Sequence, residues 1–155
     1  MKKVFISLFI ISLSLVITGC GKSSDGTFTM TCVTPKDNSA GFETQNTITY
    51  TFNENQLATM YTVTTSEKFD DLEVYNIYKK AQEETTVDGE SENVKYSLES
   101  DDEKMSLLFS MTITGLDSVT SEEEKEALKA SKILSRNEEL GSTCTLKGIN
   151  KKDLK

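Results

Sequence analysis

Thr47-Ile48-Thr49-Tyr50-Thr51-Phe52 alternates threonine with a large apolar residue over six positions. Successive side chains on a strand point to opposite faces, so this spacing places Ile48, Tyr50 and Phe52 on one face and the threonines on the other. Asn53-Glu54-Asn55-Gln56 supplies turn residues, and Leu57 to Val63 returns as a partner strand, which completes a hairpin. Hairpin-linked strands with one apolar side imply an antiparallel sheet with one wet face.

The pattern recurs on both sides of this hairpin. Upstream, Phe28, Met30 and Cys32 alternate with threonines. Downstream, Val94, Tyr96 and Leu98 alternate with Lys95, Ser97 and Glu99, Asp101-Asp102-Glu103-Lys104 turns, and Met105, Leu107, Phe109, Met111 and Ile113 form the longest one-sided apolar stripe. A last strand carries Cys144 and Leu146. Two stretches lose the alternation and take helical spacing. Residues 66–84, with Phe69, Leu72, Tyr75 and Tyr78, follow a Thr64/Glu67 capping box in which Ser66 is a competing cap. Residues 121–139 follow a Ser121/Glu124 box and stop at Gly141. The predicted order is β-β-β-α-β-β-α-β, an α+β fold with both helices on the apolar face of an antiparallel sheet. Residues from Ile149 onward read as a frayed basic tail.

The chain opens on Met1-Lys2-Lys3, and Val4 to Thr18 carries no charge. That run is shorter than the roughly 20 residues a spanning helix needs, and it ends in small residues, as a secretory signal does. Its end, Ile17-Thr18-Gly19-Cys20, resembles a bacterial lipobox. The resemblance implies cleavage between Gly19 and Cys20 and a diacylglycerol on the Cys20 thiol. The expected organisation is a lipoprotein signal peptide at 1–19, a lipidated cysteine and tether at 20–26, one domain at 27–149 and a tail at 150–155. The expected location is the extracytoplasmic face of a cell membrane, of the Gram-positive type.

With Cys20 committed to lipid, Cys32 and Cys144 remain of three cysteines. In an exported protein such a pair is expected to form a disulfide, with two buried free thiols as the alternative. Both face the core by alternation, and a bridge would join the first and last strands.

The lipobox, the early threonine-rich strand, the two hairpins and the two helices together resemble the small YehR-like lipoproteins, a family of unknown function. Related Gram-positive lipoproteins often place a cysteine just after the last helix, as Gly141-Ser142-Thr143-Cys144 does. The resemblance implies architecture and supplies no activity.

The 155 residues hold 25 acids against 17 bases and no histidine. Loss of Lys2 and Lys3 with the leader makes the remainder more acidic still. Nucleic-acid binding needs clustered Lys and Arg and is excluded as an expectation. The missing histidine removes Ser-His-Asp and Cys-His catalysis and His-ligated zinc. Acids at 88–92 and 99–103 lack the spacing of a calcium loop and are read as solvated turns, with no metal site and no cofactor. Tyr50, Tyr61, Tyr75, Tyr78 and Tyr96 either line a groove or close the edge of a core. The expected function is a membrane-anchored, non-catalytic binding or envelope-associated module, whose partner is an unknown protein or small ligand. Two alternatives stand beside it. One is an accessory enzyme working through carboxylates on an envelope polymer. The other is a precursor whose signal peptide releases the hydrophobic pheromone Ser12 to Gly19.

Overall fold

The computed structural model describes residues 26–155. The leader, the tether up to residue 25, and with them Gly19 and Cys20, lie outside the described residues. Six strands form one antiparallel sheet: β1 (Phe28–Val33), β2 (Glu43–Phe52), β3 (Ala58–Lys68), β4 (Val94–Asp101), β5 (Ser106–Thr114) and β6 (Thr143–Lys147), in the order β4-β5-β3-β2-β1-β6. The helices are α1 (Leu72–Asp88), α2 (Glu122–Ala127) and α3 (Ala130–Glu139). The fold is α+β, as the alternation implies.

The register carries that alternation across the whole sheet. One row runs Tyr96–Met111–Val63–Ile48–Cys32–Cys144, and the next runs Val94–Ile113–Tyr61–Tyr50–Met30–Leu146. The opposite face carries Thr112–Thr62–Thr49–Thr31–Thr145. Its hydroxyls pair with one another, Thr62 with Thr112 at 2.9 Å and Thr31 with Thr49 at 3.2 Å. Between Thr51 and Phe52 the β2–β3 register shifts, so Phe52 pairs with Ala58 and Thr51 with Met60. This bulge absorbs one residue and keeps both Ala58 and Tyr61 on the apolar face.

Two separate cores hold the helices to that face. Around α3, Ala130, Ile133 and Leu134 bury Phe28, Met30, Cys32, Phe52 and Ala58. Around α1, Tyr75 packs with Phe42, Phe69 and Leu107. The Phe42 and Phe69 rings stack at 4.6 Å.

The structure corrects three boundaries. Residues 66–68 belong to β3, and α1 begins six residues later than its expected start at 66. Its cap is Asp71, whose carboxylate accepts from the Glu73 and Val74 N–H groups at 2.8 and 3.0 Å. Asp71 therefore takes the place given to Thr64 and Ser66, because β3 pairs with both neighbours through Lys68 and holds those residues extended. The expected single helix at 121–139 is two. The Ser121 hydroxyl does cap α2 through Glu124 N–H, at 3.2 Å. At Leu128 and Lys129, however, the chain straightens to bridge the start of β3: Ala58 N–H donates to Leu128 O at 3.0 Å, and Ala130 N–H to Gln56 O at 2.9 Å. Ala58 and Ala130 are small enough for this approach and are fully buried.

The third correction is the tail, which docks. Leu154 and Ile149 pack on the α3 core, and the buried Gln56 side chain clamps the end of the chain. Its amide donates to Asp153 O at 3.0 Å and accepts from Lys155 N–H at 2.7 Å. The stop after α3 follows expectation. Gly141 has φ +82°, and the Gly141 and Ser142 N–H groups donate to Glu138 O and Asn137 O, the two bonds of a Schellman end.

Cys32 and Cys144 sit directly opposite on β1 and β6, with Cα atoms 4.0 Å apart, and are joined as a disulfide. The linked residues are 112 apart in sequence. A loop of that length constrains the unfolded chain by about 4–5 kcal/mol in the chain-entropy description. Replacing both cysteines by alanine is expected to lower unfolding free energy by several kcal/mol in urea titrations. A loss under about 1 kcal/mol would show that the sheet alone secures the β6 edge.

Candidate functional site

Between the two cores, the apolar face of the sheet is left partly open. Ile48, Tyr50, Tyr61, Val63, Met111 and Ile113 are central in the sheet, yet none is buried. Met30 and Cys32, which extend the same two rows beneath α3, are completely buried. The α3 side of this strip opens into a cleft of about 450 Å³. Ile48, Tyr50, Ala127, Ile133 and Leu140 give the cleft its apolar lining, and Glu123, Glu126, Lys132, Arg136 and Asn137 give its polar groups. A concave surface of mixed apolar and charged lining, at that volume, is large enough to seat a small amphiphilic ligand.

The tyrosines divide between the two sequence readings. Tyr75 is a core residue whose hydroxyl donates to Asp102. Tyr78 closes the edge of the α1 core, edge-on to Phe42 at 4.8 Å. Tyr50, Tyr61 and Tyr96 lie on the open face. The Tyr50 and Tyr61 rings are 5.9 Å apart, and Tyr96 lies beside Phe109 at 5.8 Å. Burial and the neighbouring Tyr50 and Tyr96 phenols hold the Tyr61 phenol above its ordinary range. The Tyr50 hydroxyl accepts a bond from the buried Asn137 amide at 3.4 Å, which ties the strip to α3.

Three acids of these runs, Glu90, Asp101 and Asp102, are held in turns and latches. Asp101 pairs with Lys104 at 2.5 Å and Glu90 with Lys95 at 3.5 Å. Asp102 is held low by Lys79, 2.7 Å away, and by the Tyr75 hydroxyl, so the β4–β5 turn is latched to α1. Among the described residues no group of three or more His, Cys, Asp or Glu is placed to hold a metal ion. A second hollow of about 340 Å³ is lined by Glu43, Glu67, Glu99 and Asp101. Glu43 there is bound to Lys36 at 2.8 Å.

Glu67, a capping residue by its spacing from Thr64, is instead a buried acid. Its pairing with Thr44 and Leu107 places it on the helix-covered face, where its carboxylate accepts from Gln82 of α1 at 2.7 Å. Glu43, Glu99 and Asp101 alternate to the hydroxyl face, so the sheet separates their side chains from Glu67. Removal from water raises the Glu67 pKa, and the Gln82 bond offsets this only in part. The alternation Tyr61, Val63, Thr65, Glu67, Phe69 was the signal that could have placed it inward. Arg136, the single arginine of the chain, was not singled out from the sequence either.

No family model, curated protein or solved structure matches the chain. No helix among the described residues is long and apolar enough to cross a membrane.

Glu67 yields a signed pH prediction. A carboxyl with a raised folded-state pKa favours folding at low pH, and this contribution is lost as pH rises through the folded value. The stability of Glu67→Gln relative to wild type should therefore grow from about pH 4 to pH 7 in urea titrations, with the variant gaining. A difference independent of pH would show that Glu67 is not desolvated in solution.

Proposed function

We propose that this protein is a lipid-anchored, extracytoplasmic, non-catalytic binding module of the bacterial cell envelope. The open strip and its cleft are the seat for a small ligand with an apolar body. The observation that carries the binding reading is the incomplete burial of Met111, Val63 and Ile48 in the middle of a sheet whose flanks are buried. Solvation of a broad apolar strip is unfavourable by about 25 cal/mol per Å², and a ligand that covers it recovers that free energy. The lipobox at Ile17–Cys20 supports the anchor. The absence of histidine from the sequence supports the non-catalytic reading.

The test has two arms. Cys20→Ala should abolish lipid labelling and leave the protein unprocessed or released from membranes, and unchanged labelling would overturn the anchor. Val63→Lys should reduce the bound fraction of an apolar fluorescent probe about tenfold, with the circular dichroism spectrum unchanged. Undiminished binding would overturn the strip as the seat.

A further inference from the structure

We infer that the ligand of this cleft is a single-chain amphiphile with a carboxylate head, and that Arg136 reads the head. The inference rests on the binding reading above and adds the ligand's chemical class. Arg136 lines the cleft from α3, one position before the Asn137 that holds the Tyr50 hydroxyl. Its guanidinium has no ion pair among the described residues, in a chain with 25 acids to choose from. The other cation of the lining, Lys132, lies 3.9 Å from Glu126, and Lys129 binds the same Glu126 at 2.5 Å. An unpaired guanidinium beside an apolar floor is complementary to a planar anion that it can bind through two parallel N–H donors. Glu123, on the α2 side of the cleft, would repel that head and so favours its placement at the α3 side.

The floor accounts for the tail of such a molecule. From Ile48, which lines the cleft, through the half-buried Val63 and Met111 to Tyr96, whose ring meets Gly89 at the end of α1, the row crosses three strand spacings, about 14 Å, the extended length of roughly eleven carbons. These side chains offer the tail methyl, thioether and ring surface.

The closing experiment uses the full chain in lipid nanodiscs, labelled with ¹⁵N-arginine and methyl-¹³C-methionine and titrated with decanoate or with decanol. Because the chain has one arginine, a single guanidinium signal reports the head, and the Met111 methyl reports the tail. Decanoate should move both signals and decanol only Met111. Arg136→Gln should weaken decanoate at least tenfold while decanol is unchanged, and Glu123→Gln should strengthen decanoate. If decanol binds as well as decanoate and Arg136→Gln changes neither, the carboxylate head is overturned and the apolar seat stands. If neither ligand moves Met111, the seat itself fails. If sedimentation shows a dimer whose formation shifts Met111 in place of ligand, the occupant is a second copy and the inference is overturned.

Discussion

Six strands about 4.8 Å apart set the outermost strand axes about 24 Å apart, while a helix with its side chains is about 10–12 Å across. Two helices lying side by side would barely cover such a face. Here they do not lie side by side: α1 is held over β4 and β5 where Tyr75 packs with Leu98 and Leu107, and α3 at the β1–β6 end by Met30, Cys32 and Phe52. With ten residues, α3 is about 15 Å long, about half the length of the central strands. Coverage therefore fails in the middle, over Ile48, Val63 and Met111. The strip follows from sheet width and helix length, and no special loop is needed to make it.

The arrangement places demands on the two sheet ends. β6 is a five-residue edge strand with one strand neighbour, and the disulfide ties it to β1 at the residue pair over which α3 sits. The break between α2 and α3 serves the same end. By straightening at Lys129 the chain pairs with the start of β3 and lets Gln56 clamp the C-terminus. At the other end, Asp102 joins the β4–β5 turn to Tyr75 and Lys79 of α1. Each helix is thus fixed by contacts at its own end of the sheet, which leaves the ground between them free for a ligand.

The strands were legible because alternation is local: Thr47 to Phe52 and Met105 to Ile113 declare their faces without knowledge of their partners. The cysteine pairing was legible for the same reason, since Cys32 and Cys144 share a face with Met30 and Leu146. What failed was long-range. The extension of β3 through Glu67 depends on β2 and β5 lying beside it, and that pairing overrides a capping pattern at Thr64 that is locally as good as the one at Ser121. The interruption at Lys129 depends on the far-off Gln56 and Ala58. The strip itself is invisible in sequence, because Ile48 and Met111 follow the same alternation as the buried Met30. Which of them is covered is decided by helix placement. Arg136 acquires meaning only once the cleft beside it exists.

One apolar face is sealed at its flanks and open between them, and two methionines on that face report it directly. Met30 lies under α3 with no exposed surface, and Met111 lies in the strip, with its strand neighbour Val63 also unburied. Oxidation of the folded protein by dilute hydrogen peroxide, followed residue by residue by mass spectrometry, separates the two. Met111 is expected to be converted to the sulfoxide at least tenfold faster than Met30. Equal protection of the two residues would contradict it, because the face would then be closed along its whole width.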